Sequence, residues 1–154
     1  MPDVDTSPAV AVTRDDDVVT VTLVRPERRN VLALPVLEAL TDAFAEVGRS
    51  DARGVILAAD GPVFSAGHDF ADMVGADEAA AHHLFRTCTD LMETVQSIPQ
   101  VVIARVHALA TAAGCQLVAT CDLAVAAASA GFALPGGRGG LFCHTPAVAV
   151  ARAV

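Results

Sequence analysis

Lysine, tryptophan and tyrosine are absent from this chain of 154 residues, and all ten basic side chains are arginine. Without lysine there is no Schiff-base chemistry and no phosphate loop of the Gly-Lys-Ser/Thr kind. Without tyrosine no phenol can act as a general acid. Positive charge is scarce as well. Eighteen acidic groups against ten basic ones leave a formal net charge of −8, the wrong sign for a nucleic-acid partner, which needs a basic face. A membrane-spanning run is also missing. The longest charge-free stretch, between Arg105 and Asp122, has 16 residues and includes Gln116, whereas a spanning helix needs about 20. It reads as buried core. Residues 1–17 are acidic and hold no basic segment followed by an apolar one, so no leader is read there and the expected location is cytoplasmic. The four cysteines, Cys88, Cys115, Cys121 and Cys143, form no C-x-x-C pair and are expected as buried thiols. No metal site is expected: His82 and His83 are adjacent on a helix and point about 100° apart.

What is present suits one folded domain. Hydrophobic residues make up 53% and charged residues 18%, which excludes a disordered chain. A loose tail is expected over 1–8 and a core over 9–154. Strands are read at Ala9–Thr13 and Val18–Val24, where Val19, Val21 and Leu23 alternate with Thr20 and Thr22. Asp15-Asp16-Asp17 between them reads as a solvated turn. Pro35 fits the first turn of a helix whose apolar face carries Val36, Leu37, Leu40, Ala43, Phe44 and Val47, with Gly48 as its stop. Gly54–Ala59 and Val101–Val106 read as buried strands. A long helix over Asp77–Ser97 carries a stripe of Leu84, Phe85, Cys88, Leu91, Met92 and Val95, and Pro99 marks its end. Thr111–Thr120 reads as a short helix and Cys121–Ala127 as a strand. Strands alternating with helices predict an α/β fold with a largely parallel sheet. The apolar run from Pro146 reaches Val154 without a cap, so a missing C-terminal helical part is expected.

Two loops share one design. Ser65-Ala66-Gly67-His68-Asp69 follows the Gly54 strand, and Ala110-Thr111-Ala112-Ala113-Gly114-Cys115 follows the Val101 strand. Both are built from small residues and lead into helices. The first N–H groups of a helix lack intrahelical partners and lie at the positive end of its dipole. Two such amides aimed at one point bind an oxyanion. The plainer alternative is that small residues allow tight strand–helix packing. Gly136-Gly137-Arg138-Gly139-Gly140 lacks the spacing of a nucleotide loop. His144 and Cys143 after it are candidates to approach a ligand, against a packed or exposed role.

FSAGHDF at 64–70, with ATAAGCQLVATCDLAVAA at 110–127, resembles the crotonase (enoyl-CoA hydratase/isomerase) family. RPERRNVL at 25–32 resembles the first CoA-side loop of that family, and Phe132-Ala133-Leu134-Pro135 its third active-site segment. AGCQLVATCDLAVA and GLFCHTPAVAVARAV narrow the likeness to one subgroup. The resemblance implies a crotonase-like ββα spiral, of which this chain is the N-terminal core only. It implies binding of an acyl-CoA thioester and stabilisation of its enolate. The two oxyanion donors would be the backbone N–H groups of His68 and Ala113, with Gly114 the alternative to the latter. Ala66, Gly67, Asp69 and Phe70 would line the pantetheine and adenine path, and Arg28 or Arg29 would lie near the CoA phosphates. No separate cofactor is implied, since CoA enters with the substrate. A full-length chain would form a homotrimer or hexamer.

The sequence departs from the family's hydratases at both carboxylate positions. The matching residues are Gln116 and Gly136. Water addition needs one group to activate water and another to protonate the α-carbon. The resemblance implies an acyl-CoA enzyme, nominally of the hydratase/isomerase type, while the loss of both carboxylates argues for a weak or different reaction. The alternatives are a CoA-thioester binder with little or no catalysis, and an incomplete polypeptide.

Overall fold

A computed structural model describes residues 8–140 and 142–154. Apart from Pro8, the tail expected over 1–8 lies outside the described residues. The alternation in the second strand becomes a one-sided surface: Val19, Val21 and Leu23 are buried while Thr20 and Thr22 are half-buried. This strand, β2 (Val18–Leu23), pairs antiparallel with β1 (Val10–Asp15). Asp16 makes the turn between them at φ 50°, a conformation that Asp tolerates better than most residues.

Beyond β2 the sheet is parallel. β3 (Gly54–Ala59), β5 (Val101–Val106) and β7 (Leu123–Ala126) complete a five-stranded sheet in the order β1-β2-β3-β5-β7. Helices α1 (Leu34–Gly48) and α2 (Glu78–Ser97) pack on each other and on this sheet through one core. All six residues expected on the apolar face of α1 are buried, and Leu40 and Phe44 are fully so. Truncating Phe44 to Ala would cost about 3–5 kcal/mol. Gly48 is the last residue of α1 and packs closely: a Cβ there would lie 2.7 Å from Ile98 Cγ2. The apolar stripe of α2 holds except at Phe85, which is 43% exposed. Asp122, just before β7, accepts the Val102 N–H at 2.8 Å.

A second sheet did not stand out in the sequence. Its strands β4 (Val63–Ser65), β6 (Leu109–Thr111) and β8 (Phe132–Ala133) have three, three and two residues, too few to display a period. They are parallel and lie in the order β4-β6-β8. Thr111 thus ends a strand, and the helix expected from it, α3 (Ala113–Thr120), starts two residues later. The last helix, α4 (His144–Ala153), packs on α3. The thiols are less uniformly buried than expected: Cys88 and Cys115 are buried, whereas Cys121 and Cys143 are partly exposed.

Candidate active site

Parallel strands place their C-terminal ends on one edge. In the small sheet each exit is a segment already singled out by its residues. Ser65 leads into Ala66-Gly67-His68, Thr111 into Ala112-Ala113-Gly114, and Ala133 into Leu134-Pro135-Gly136. The carboxyl edge of a parallel sheet is where ligands are received in α/β proteins.

The first loop is tied down on all sides. The Ser65 hydroxyl donates to the Asn30 carbonyl at 2.8 Å and accepts the Gly67 N–H at 3.3 Å. The Ala66 N–H donates to the Arg29 carbonyl, and the Leu32 N–H to the Gly67 carbonyl. Thr111 Oγ1 donates to the Ala66 carbonyl at 3.3 Å. Gly67 itself has φ +86°, and a Cβ on it would lie 3.1 Å from the Ala113 nitrogen. The two loops therefore touch where the candidate amides are.

The second loop turns on Ala112. This residue adopts φ 50°, ψ −123°, a conformation costing a non-glycine residue about 1–3 kcal/mol. Its N–H donates to the Ala133 carbonyl at 2.9 Å and its carbonyl accepts the Gln116 N–H at 3.0 Å, so both neighbours hold it in place. The next amide, of Ala113, opens α3. Among the described residues, the N–H groups of His68, Ala113 and Gly114 donate to no partner in the chain. Of the last two, the Ala113 amide is the one beside Gly67. Gly114 meets Ser65 instead, where a Cβ would lie 2.7 Å from the Ser65 hydroxyl and carbonyl oxygens.

The side chains around these amides offer little acid or base. The His68 ring stacks edge-on against Phe85, with centroids 5.5 Å apart, and its Nδ1 is buried without a partner among the described residues. Burial lowers its proton affinity below the ordinary value of 6.5, against opposing pulls from the Leu32 carbonyl and Asp72, so the ring is neutral at pH 7. Asp69 accepts the Ala71 N–H at 3.0 Å and pairs with the Arg28 guanidinium, which commits both charges. Arg29 is exposed and has no side-chain partner among the described residues. Phe70 stands 72% exposed. Gln116 is buried in the first turn of α3, and its Oε1 has no hydrogen-bond partner among the described residues. Gly136 lies in a 3₁₀ segment, Pro135–Gly139. His144 begins α4 and is exposed, while Cys143 precedes it. Burial raises the Cys115 thiol above its usual range, so it is no nucleophile at neutral pH. Among the described residues no group of three metal-ligating side chains forms, and no helix is long and apolar enough to cross a membrane.

Sequence reasoning missed the residues that brace the loops. Asn30 is 1% exposed; its Nδ2 donates to the carbonyls of Asp60 and Val63, and its Oδ1 accepts the Arg25 N–H. Asp72 Oδ2 accepts the Leu34 N–H at 2.9 Å and caps α1 from a distant loop. An Asn after two arginines, at φ 49°, is a weak local signal of a special turn. Ala112 carried none.

Known proteins bear on this arrangement. The profile of the enoyl-CoA hydratase/isomerase family matches residues 13–153. The chain belongs to that family. It is 44% identical to enoyl-CoA hydratase domain-containing protein 3 of Rattus norvegicus over 153 residues, which are 97% of this chain and 51% of that one. It is 36% identical to the probable enoyl-CoA hydratase echA6 of Mycobacterium tuberculosis, over 86% of this chain and 52% of the relative. Among solved structures, human enoyl-CoA hydratase domain-containing protein 3 superposes with a TM-score of 0.91 at 41% identity, over 94% of this chain and 58% of the other. An enoyl-CoA hydratase from Mycobacterium smegmatis gives a TM-score of 0.91 at 49% identity, with the same coverage of 94% and 58%. The chain thus spans about half the length of the curated relatives it matches. The subgroup likeness of the 113–126 and 140–154 segments is the one these relatives carry. They also correct the expected cytoplasmic location, because the relatives from rat, mouse and human are mitochondrial by name. The physical reason is that an import signal is a separable leader. The composition of a folded core does not report it.

Proposed function

We propose that this chain supplies the thioester-binding core of an acyl-CoA enzyme, of the kind that stabilises an enolate between two backbone amides. The donors are the N–H groups of His68 and Ala113. One observation carries the reading. Among the described residues, two amides at the exits of neighbouring parallel strands donate to no partner, and a single atom on Gly67 would fill the space beside one of them. Negative charge grows on a thioester oxygen as the α-proton leaves or a nucleophile adds at the β-carbon. Donors placed for that charge lower the barrier by on the order of 3 kcal/mol each. Ala66, Asp69 and Phe70 border the entry, and the exposed guanidinium of Arg29 is the group suited to the CoA phosphates. The reading needs no separate cofactor, and it assigns the full-length protein to fatty acyl-CoA metabolism as a homotrimer or hexamer.

A second reading is favoured by Gln116 and Gly136. Neither titrates, so no pair of carboxylates stands ready to activate and deliver water. The protein then binds thioesters with little or no turnover. Titration with crotonyl-CoA beside a hydration assay separates the two: binding with turnover supports the enzyme, binding alone the second reading. Gly67→Ala puts a methyl 3.1 Å from the Ala113 nitrogen. It is expected to weaken binding, and to lower any turnover on the order of 100-fold. Unaltered binding and rate in that variant would sink the two-amide site.

A further inference from the structure

Residues 28–32 run beside the first amide loop and are tied to it at successive points. The Arg29 carbonyl accepts the Ala66 N–H at 3.0 Å and the Asn30 carbonyl accepts the Ser65 hydroxyl at 2.8 Å. The Leu32 N–H donates to the Gly67 carbonyl at 2.7 Å. This last bond sets a direction. In a trans peptide the C=O and the N–H point opposite ways, and no cis bond occurs among the described residues. With the Gly67 carbonyl turned to Leu32, the same peptide presents the His68 N–H on its far side. The 28–32 segment therefore aims that amide from upstream.

From downstream the amide is held through Asp69. This residue has φ −74° and ψ 121°, and its side chain is only 14% exposed. Both of its oxygens are engaged. Oδ1 accepts the Ala71 N–H, and Oδ2 accepts from the Arg28 guanidinium. An ion pair with one member so far out of water is screened less than a surface pair. Arg28 ends the short turn Pro26–Arg28, and the next two residues, Arg29 and Asn30, have φ 54° and 49°. Residues with side chains keep that conformation only where their surroundings impose it. The pair closes a ring that runs from Arg28 through these two residues to Leu32, across to Gly67, and back through His68 to Asp69. Without the pair, the loop is hinged at Leu32 and the amide is freer to turn. The pair also turns Arg28 towards the loop and leaves the exposed Arg29 for a phosphate.

We propose that Arg28 and Asp69 are positioning residues, whose ion pair keeps the His68 amide aimed at the thioester oxygen and takes no part in holding CoA. The proposal rests on the thioester-binding reading above. Its test is infrared spectroscopy of butanoyl-CoA labelled with carbon-13 at the thioester carbonyl, beside calorimetric titration with CoA. The unaltered protein is expected to move the carbonyl band to lower frequency, because two donors draw charge onto the oxygen. Asp69→Asn keeps an oxygen for the Ala71 N–H and loses the charge; Arg28→Gln loses the opposite charge. Both variants are expected to reduce the band shift while CoA binds as before. Any turnover falls on the order of 10- to 100-fold in kcat with KM kept, the mark of a misplaced group. Arg28→Lys, which keeps the charge, retains most of the shift. An undiminished shift in Asp69→Asn and Arg28→Gln overturns the proposal. So does tighter CoA binding by Asp69→Asn with weaker binding by Arg28→Gln, which would make Arg28 a phosphate ligand that Asp69 merely stores. Both results leave the two-amide site standing. Absence of any shift in the unaltered protein removes that site, and the proposal with it.

Discussion

His68 does two unrelated things with one residue. Its backbone N–H belongs to the candidate oxyanion site, and its ring fills the space under Phe85. The ring is held below its ordinary value of 6.5, chiefly by burial. The unfolded chain therefore takes up this proton more readily than the folded one. The contribution to stability is complete above 6.5 and is lost as the pH falls below it. Melting temperatures measured from about pH 7 down to about pH 5 should fall, and His68→Asn should flatten that slope while keeping the backbone amide. An equally steep slope in the variant would mean that other groups carry the acid sensitivity. Two thiols shift in the opposite direction. Burial pushes Cys88 up to about 11 and Cys121 up to about 12, so both stay protonated and inert at neutral pH.

At the scale of elements, the site is made by ends rather than by middles. β4, β6 and β8 are short, and their exits carry the three segments singled out in the sequence. The turn at Ala112 is what aims the amide of Ala113. Alanine is strained at φ 50°, ψ −123°, and glycine is not. Ala112→Gly is therefore expected to raise stability by about 1 kcal/mol, read as a higher denaturation midpoint with an unchanged slope. A lower midpoint would show that the Ala112 methyl, which packs over Gly67, is worth more than the strain. α1 illustrates the opposite case. Its face, length and start at Pro35 were readable because six apolar positions repeat at helical spacing. The cap supplied by Asp72 was not readable, since the two residues are 38 apart in the chain.

For the whole molecule, the acidic balance and the apolar outer strand pull in different directions. β7 is the edge of the five-stranded sheet, and Leu123 and Val125 are 58% and 64% exposed. An apolar edge with open ladder groups is a template for pairing with another chain. The chain alone is expected to self-associate through this edge. Val125→Lys should lower light scattering at equal concentration, and scattering that does not change would place the association elsewhere. The run from Val106 to Cys121 reads as a single buried stretch, but it divides into the end of β5, a strand and a helix. Hydropathy alone does not mark those divisions, because both elements use the same small apolar residues.

The amino-acid sequence by itself determined the exclusions, the α/β class, the long helices and the segments that resemble the crotonase family. Those properties rest on composition and on local periodicity, which are written along the chain. The tertiary structure alone decided that Gly67 faces the Ala113 amide, that Asp69 spends its charge on Arg28, and that the Gln116 side chain is buried. Each of these depends on groups far apart in sequence meeting in space. Only the pairing of short parallel strands brings them to one edge.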